Sequence, residues 1–261
     1  MRHAYRTALV TGASSGIGES FARLLAGRGT DLVIVARRAD LLDGLARELV
    51  ERYRVAVEVV AADLTDPGQR AEVEGRLSAD PVELLVNNAG YGAFGAFAEL
   101  PLDDHLAQIE LNVAALVRLT RAAVPGMVER GRGGVLNVAS MAGFAPSPGS
   151  ATYGATKAYV AAFSESLHAE VAAKGVHVTA LCPGFTRTED ERPGEHGGPS
   201  DLLWLRRDDV ARAGLDAVSS GRALCIPGVQ YKAAFPALKL VPRPLLRAAV
   251  NRMWQQAADT R

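Results

Sequence analysis

The chain has 261 residues, and its 29 Lys+Arg balance 29 Asp+Glu, so no bulk charge calls for a nucleic acid or other polyanionic partner. Its only two cysteines, Cys182 and Cys225, lie in apolar runs, which excludes a disulfide framework and metal-ligand spacing and predicts buried free thiols. At 48% hydrophobic and 22% charged residues, with no signal-peptide core after Met1 and no apolar run approaching a membrane span, the expectation is one cytoplasmic α/β domain over residues 1–261 with no metal site.

Thr7 to Val10 form a short apolar run, predicted as a buried first strand. Thr11-Gly12-Ala13-Ser14-Ser15-Gly16-Ile17-Gly18 follows, leading into Glu19 to Arg28, where Phe21, Leu24 and Leu25 have helical spacing. Glycines between a strand and a helix permit a tight turn and close backbone approach. The helix N terminus then points free N–H groups and its dipole at a pyrophosphate. The spacing is G-x-x-x-G-x-G, not the commoner G-x-G-x-x-G. A glycine-rich turn alone is often only a turn; in a strand–turn–helix context it points to a dinucleotide held by Gly12, Ser14, Ser15, Gly16, Ile17 and Gly18.

Asp31 to Ala36 reads as the second strand, with Arg37-Arg38 directly after it. An acidic residue about 20 positions beyond the glycines would bond a ribose 2′-OH. Ala36 stands there instead, and the guanidinium of Arg37 suits a 2′-phosphate. The plain reading is a pair of exposed arginines at a helix start; the missing carboxylate favours NADP(H) over NAD(H). A helix over Leu41 to Tyr53 and a third strand over Val55 to Ala61 follow. Asp63, with Leu64, then sits where an adenine amino group could be bonded. Asp63 could also cap the next helix, but Asp66-Pro67 fits that role better.

Glu83 to Val86 is the fourth strand, closed by Asn87-Asn88-Ala89-Gly90. The asparagines are expected to bond backbone groups of neighbouring strands and to let a cofactor approach the main chain at Asn88, Ala89 and Gly90. A long helix is predicted over Leu102 to Val128, kinked at Pro125. Asn112 lies in it among Ile109, Val113 and Leu116, and a buried amide must be hydrogen-bonded. Two readings stay open: a local bulge with an ordered water, or an ordinary satisfied core amide.

Gly134 to Val138 is the fifth strand, followed by Ala139-Ser140-Met141. The helix predicted over Ala151 to Lys174 carries Tyr153 and Lys157 on one face, one turn apart. A phenol is a poor base near neutrality, since its pKa is about 10; a nearby ammonium favours the phenolate. The Ser140 hydroxyl can bond the same oxygen or a substrate carbonyl oxygen. Such a set passes a proton to or from a carbinol oxygen, provided a bound nicotinamide handles the hydride. The Y-x-x-x-K spacing by itself arises by chance in many helices; its weight comes from the other segments and their order. Ala155, Ala158, Ala161 and Ala162 suit close packing on another helix, as at an oligomer interface.

Val176 to Leu181 is the sixth strand. Pro183 and Gly184 follow it, with Thr186 and Thr188 placed to bond a nicotinamide carboxamide or phosphates. Residues 189–207 are expected to form a mobile substrate loop, although the stretch Glu189 to Asp201 also fits simple disorder. A helix over Asp208 to Ser219 and a seventh strand over Ala223 to Ile226 complete the alternation. Residues 229–261 form a basic extension with Lys232, Lys239, Arg243, Arg247, Arg252 and Arg261 against Asp259. Prolines 236, 242 and 244 are expected to break it before a last helix. Packing on the domain or a sister subunit is favoured there over contact with a membrane surface.

Taken in order, Thr11 to Gly18, Asn87 to Gly90, Asn112, Ser140, Tyr153, Lys157 and Pro183-Gly184 resemble the short-chain dehydrogenase/reductase family, over roughly residues 5 to 228. The resemblance implies a single-domain Rossmann-type doubly wound α/β fold with a seven-stranded parallel sheet. It implies that Asn112, Ser140, Tyr153 and Lys157 match a catalytic tetrad. In that pattern the tyrosine is the general acid/base and the serine orients the substrate oxygen. The lysine binds the nicotinamide ribose and lowers the tyrosine pKa, and the asparagine holds a water in a proton relay. Arg37 matches a position where NADP-preferring members carry a basic residue. Ala139 departs from members that have a second serine there. The expected activity is NADP(H)-dependent hydride transfer to or from a small-molecule carbonyl or alcohol, in a homodimer or homotetramer; Phe94, Phe144, Phe185 and Trp204 flank the expected site and point to an apolar substrate, although aromatics beside a sheet are more often core. The competing class is a dinucleotide-binding regulatory or scaffold protein without turnover.

Overall fold

Apolar strands alternate with amphipathic helices along the chain. The elements are β1 (Thr7–Thr11), α1 (Gly16–Ala26), β2 (Asp31–Ala36), α2 (Ala39–Tyr53), β3 (Val57–Ala61), α3 (Pro67–Ala79), β4 (Leu84–Asn87), α4 (Leu102–Ile109), α5 (Leu116–Glu129), β5 (Gly133–Val138), α6 (Ala151–Val171), β6 (Val176–Leu181), β7 (Thr186–Arg187), β8 (Leu205–Arg206), α7 (Arg207–Ser219), β9 (Leu224–Cys225), α8 (Val229–Leu240) and α9 (Arg243–Ala258). The computed structural model describes residues 5–79, 82–187 and 203–258.

Seven strands form one sheet in the order β3-β2-β1-β4-β5-β6-β9, every pair parallel. The expected doubly wound fold is therefore present. Strand order reverses between β1 and β4, which opens a crevice at their C-terminal ends. Alternation along each strand feeds two cores. Ala8, Val10, Leu32, Ile34 and Leu84 face α1, α2 and α7, where Phe21, Leu25, Leu42 and Leu215 are buried. Leu9, Val33, Val35 and Leu85 face the other way, towards Val73, Leu119 and Met127. A strand buried on both faces reads as a continuous apolar run, which is why the β segments were legible without a period-2 signal.

The helix expected over Leu102 to Val128 divides into α4, a π-helical stretch over Glu110–Ala115 and α5. The irregularity falls at Asn112, and Pro125 sits inside α5. A π turn inserts one extra residue into the ladder, and such turns recur at functional sites. By length and composition the stretch Leu102–Glu129 is apolar enough to cross a membrane, contrary to expectation, yet Leu116, Leu119, Ala123 and Met127 are buried in the protein core.

Two further expectations change. Leu205–Arg206 pairs with Thr186–Arg187 as a second, two-stranded parallel sheet, so the predicted loop over 189–207 ends before Leu205. Pro236 lies inside α8 and does not break it. Glu189 to Asp201 and Thr188 lie outside the described residues.

Candidate active site

The turn between β1 and α1 is built for close approach. Gly12 and Gly16 have φ of 65° and 59°, in the left-handed region that glycine enters without steric cost. A Cβ on Gly18 would stand 2.1 Å from the Gly12 carbonyl oxygen, so α1 rests directly on the turn. No side chain caps α1 at Ser15, and the first N–H groups of a helix have no partner within it. Ile17 is half-buried and packs against the core, so only its backbone faces the turn. Thr11 ties the turn to the end of β4: its Oγ1 accepts from the N–H groups of Asn88 (3.0 Å) and Ala89 (3.0 Å). The Asn88 amide donates to the carbonyls of Thr11 (2.9 Å) and Gly12 (3.3 Å). Asn88 thus bonds neighbouring backbone as expected. Asn87 instead donates to side chains, Thr120 Oγ1 at 3.0 Å and Asn137 Oδ1 at 2.9 Å.

At the end of β2 the two arginines divide. Arg38 donates to the hydroxyls of Ser14 (3.1 Å) and Ser15 (2.8 Å), which places its guanidinium on the glycine turn. Arg37 faces Asp63 at 4.0 Å and is largely exposed. The sequence places both arginines after β2 with Arg37 expected on a 2′-phosphate; both are exposed, and Arg38 is the one hydrogen-bonded to the glycine turn. Asp63 is committed locally, since its Oδ1 accepts from the N–H (2.9 Å) and hydroxyl (2.7 Å) of Thr65. Burial works to raise its pKa, but those two bonds and Arg37 leave it lower than usual. Asp66 caps α3 by accepting from Gln69 N–H at 2.8 Å, as expected. Leu64 is buried in the core, which leaves only its main chain for a ligand.

A second group gathers at the ends of β4 and β5. Lys157 is buried, and its Nζ donates to the Val138 carbonyl at 2.8 Å. Burial lowers its pKa to about 8, so it stays mostly protonated at neutral pH. Nζ lies 5.7 Å from the centre of the Tyr153 ring. A Cβ on Gly90 would lie 2.8 Å from Asn112 Oδ1 and 3.3 Å from Lys157 Nζ; one on Gly92 would lie 2.9 Å from Tyr153 Cδ2. The two glycines bring the β4 exit against Asn112, Lys157 and Tyr153. Asn112 is the amide within the π turn. It exchanges two hydrogen bonds with the Tyr91 backbone and donates to Thr156 Oγ1 at 3.1 Å. Both open readings of Asn112 are partly realised: the bulge exists, and the amide is satisfied by protein.

Ser140 begins the turn after β5. Its Oγ accepts from Ala142 N–H at 3.1 Å, which leaves its proton to donate. A Cβ on Gly143 would come within 2.8 Å of the Lys157 carbonyl carbon, so this turn sits on the α6 backbone beside Lys157. Met141 N–H donates to Pro183 O at 2.9 Å, joining the turn to the segment after β6. There Thr186 Oγ1 donates to the Gly184 carbonyl at 3.0 Å. Cys182 and Cys225 are buried free thiols, with pKa values raised by burial.

Aromatic rings surround this group. Phe94 lies 5.7 Å from Tyr153 between ring centres, Phe185 lies 5.6 Å from Trp204, and Phe144 meets Phe235 edge-on at 4.8 Å. Phe94 and Phe185 are exposed, at 69% and 51%. Gly143, Thr156, Tyr231 and Phe235 belong to the site's surroundings, and no motif spacing marked them.

The family model described as short chain dehydrogenase matches residues 6–196. A very-long-chain 3-oxoacyl-CoA reductase from Bos taurus is 37% identical over 186 residues, 70% of this chain but only 60% of that protein's length. Among solved structures, a short-chain dehydrogenase from Sphingobium yanoikuyae in complex with NADPH is 40% identical, with a TM-score of 0.81 over 89% of this chain and 92% of that one. A bulky-bulky ketone specific alcohol dehydrogenase from Comamonas testosteroni is 34% identical, with a TM-score of 0.79 over 92% of this chain and 96% of that one.

Proposed function

The chain belongs to the short-chain dehydrogenase family, and from that premise we propose that it is an NADP(H)-dependent oxidoreductase acting on an apolar ketone or the matching secondary alcohol. The observation that carries the reading is the buried Lys157 ammonium beside Tyr153, at the strand ends next to an uncapped, glycine-lined helix N terminus. The site's residues fit the cofactor: the positive-φ glycines leave room for a pyrophosphate, Arg38 and Arg37 suit a 2′-phosphate, and no carboxylate ends β2. Bound NADP(H) supplies or accepts the hydride.

The protein's own groups handle the proton and the substrate oxygen. Ser140 Oγ, its lone pair engaged by Ala142 N–H, donates to the substrate oxygen. Tyr153 gives its phenolic proton to the oxygen when a ketone is reduced and takes it back when an alcohol is oxidised. Lys157 stabilises the phenolate by its charge. Asn112 holds the Tyr91 backbone, and with it Gly90 and Gly92, against these groups. The exposed rings of Phe94 and Phe185 favour an apolar substrate, in keeping with the bulky ketones of the Comamonas relative. The same reading includes self-association, since Leu102, Leu106 and Ile109 form an exposed apolar stripe on α4; light scattering reads it directly.

The test is NADPH oxidation with a panel of bulky ketones, for the wild type and Tyr153→Phe. We expect turnover by the wild type. The variant should lose about 10²–10⁴-fold while keeping its NADPH affinity. Tight NADPH binding without turnover on any carbonyl would replace this reading with a binding-only role.

A further inference from the structure

Helix α8 lies beyond the residues matched by the family model, yet it reaches into the site through Tyr231. The Tyr231 hydroxyl accepts the Phe185 N–H at 3.0 Å and donates to the Leu203 carbonyl at 2.8 Å. It therefore joins the chain leaving β6 to the chain entering β8. The backbone reinforces the junction, because Leu205 N–H donates to Phe185 O at 2.8 Å.

The ring of Tyr231 lies flat against Gly184. A Cβ there would stand 1.9 Å from the Tyr231 Cζ. Gly184 is not among the positive-φ glycines, so space for this ring is what requires a glycine. One turn further along α8, Phe235 packs edge-on against Phe144, 4.8 Å away and just after the Ser140 turn. Pro183 O accepts from Met141 N–H. A continuous set of contacts thus runs from α8 through Phe185, Gly184 and Pro183 to the residue after Ser140.

We propose that Tyr231 is a positioning residue. Its hydroxyl sets the path of Pro183–Thr186 against the cofactor and the Ser140 turn, which makes α8 a part of the active-site wall supplied by this chain's own extension. The inference rests on the NADP(H)-dependent reading above. Tyr231 acts through Phe185 and Gly184.

Tyr231→Phe keeps the ring and removes both hydrogen bonds. Losing a hydrogen bond of ordinary strength predicts NADPH affinity weakened about three- to tenfold. KM should rise similarly and kcat should change by less than about twofold. Amide hydrogen exchange at Phe185 should quicken, since its N–H loses its acceptor. Faster exchange or a lower Tm with unchanged NADPH affinity and KM would leave Tyr231 merely structural and overturn the proposal. Gly184→Ala provides the second arm. It should reproduce the loss of affinity in the wild-type background and add little in a Tyr231→Ala background; independent, additive losses also overturn the linkage. A wild type that fails to bind NADPH overturns this proposal together with the functional reading. A wild type that binds NADPH, with variants that match it, overturns only the role of Tyr231.

Discussion

The side chain of Asn112 and the backbone of Tyr91 form a two-bond pair: Tyr91 N–H donates to Asn112 Oδ1 at 3.1 Å, and Asn112 Nδ2 donates to the Tyr91 carbonyl at 2.9 Å. The amide copies the edge of a β-strand, and the π turn at Glu110–Ala115 is what aims it there. This pair fixes the β4 exit over Lys157.

Asn112→Ala should therefore cost stability and activity together. It removes both partners of the Tyr91 backbone, whose hydrogen bonds to Asn112 are only partly buried, so the loss should be about 0.5–1.5 kcal/mol per bond. Asn112→Asp keeps the acceptor for Tyr91 N–H but sets a buried carboxylate oxygen against the Tyr91 carbonyl, so it should cost at least as much stability as Asn112→Ala. Urea unfolding and NADPH oxidation measure the two effects, and a fully stable Asn112→Ala protein would show that the pair bears no load.

Gly18→Ala should damage the cofactor turn. Its Cβ would meet the Gly12 carbonyl oxygen at 2.1 Å and Asn88 Nδ2 at 2.6 Å, and the clash with the Gly12 backbone requires the turn or α1 to move. Overpacking of this kind typically costs about 1–3 kcal/mol. NADPH affinity should drop with the Tm, as a fluorescence titration beside a thermal melt would reveal. Retained affinity would mean that the helix N terminus is not where the pyrophosphate binds.

Arg38 should discriminate between the cofactors more than Arg37. Both are exposed, but Arg38 already lies on Ser14 and Ser15, whereas Arg37 faces Asp63. A lost charge-assisted hydrogen bond of about 1.5–3 kcal/mol predicts that Arg38→Ala weakens NADPH binding by roughly ten- to a hundredfold and spares NADH. Parallel titrations decide it; equal losses for both cofactors would remove the 2′-phosphate from this position.

Lys157 should impose a pH dependence with a definite sign. Burial lowers its pKa from 10.5 to about 8, so between those values the unfolded chain binds more protons than the folded one. Stability contributed by this group therefore rises with pH from about 8 to 10.5. Activity that relies on the ammonium should fall above pH 8. Lys157→Met should flatten the first trend and abolish turnover. Other groups titrate in this range, so the measurement is the difference in Tm between wild type and variant at pH 7, 8, 9 and 10. A constant difference would show that Lys157 does not carry the shift.

The fold was legible because its causes are local. Seven apolar runs, each followed by helical spacing, require parallel strands covered on both faces, and the glycines at 12, 16 and 18 state where the chain must turn tightly. The placement of Ser140 at a strand end and of Tyr153 and Lys157 one turn apart on a helix was legible for a similar reason. Arg38, Gly143, Thr156 and Tyr231 were not. Their contacts join segments far apart in sequence: Tyr231 to Phe185 spans 46 residues, Thr156 to Asn112 spans 44, and Arg38 to Ser15 spans 23. Periodicity and motif spacing report on neighbours along the chain. Which arginine reaches the glycine turn, where a long helix bulges, and which C-terminal ring lies on Gly184 are settled only when the sheet brings those segments into contact, because close packing leaves room for one arrangement.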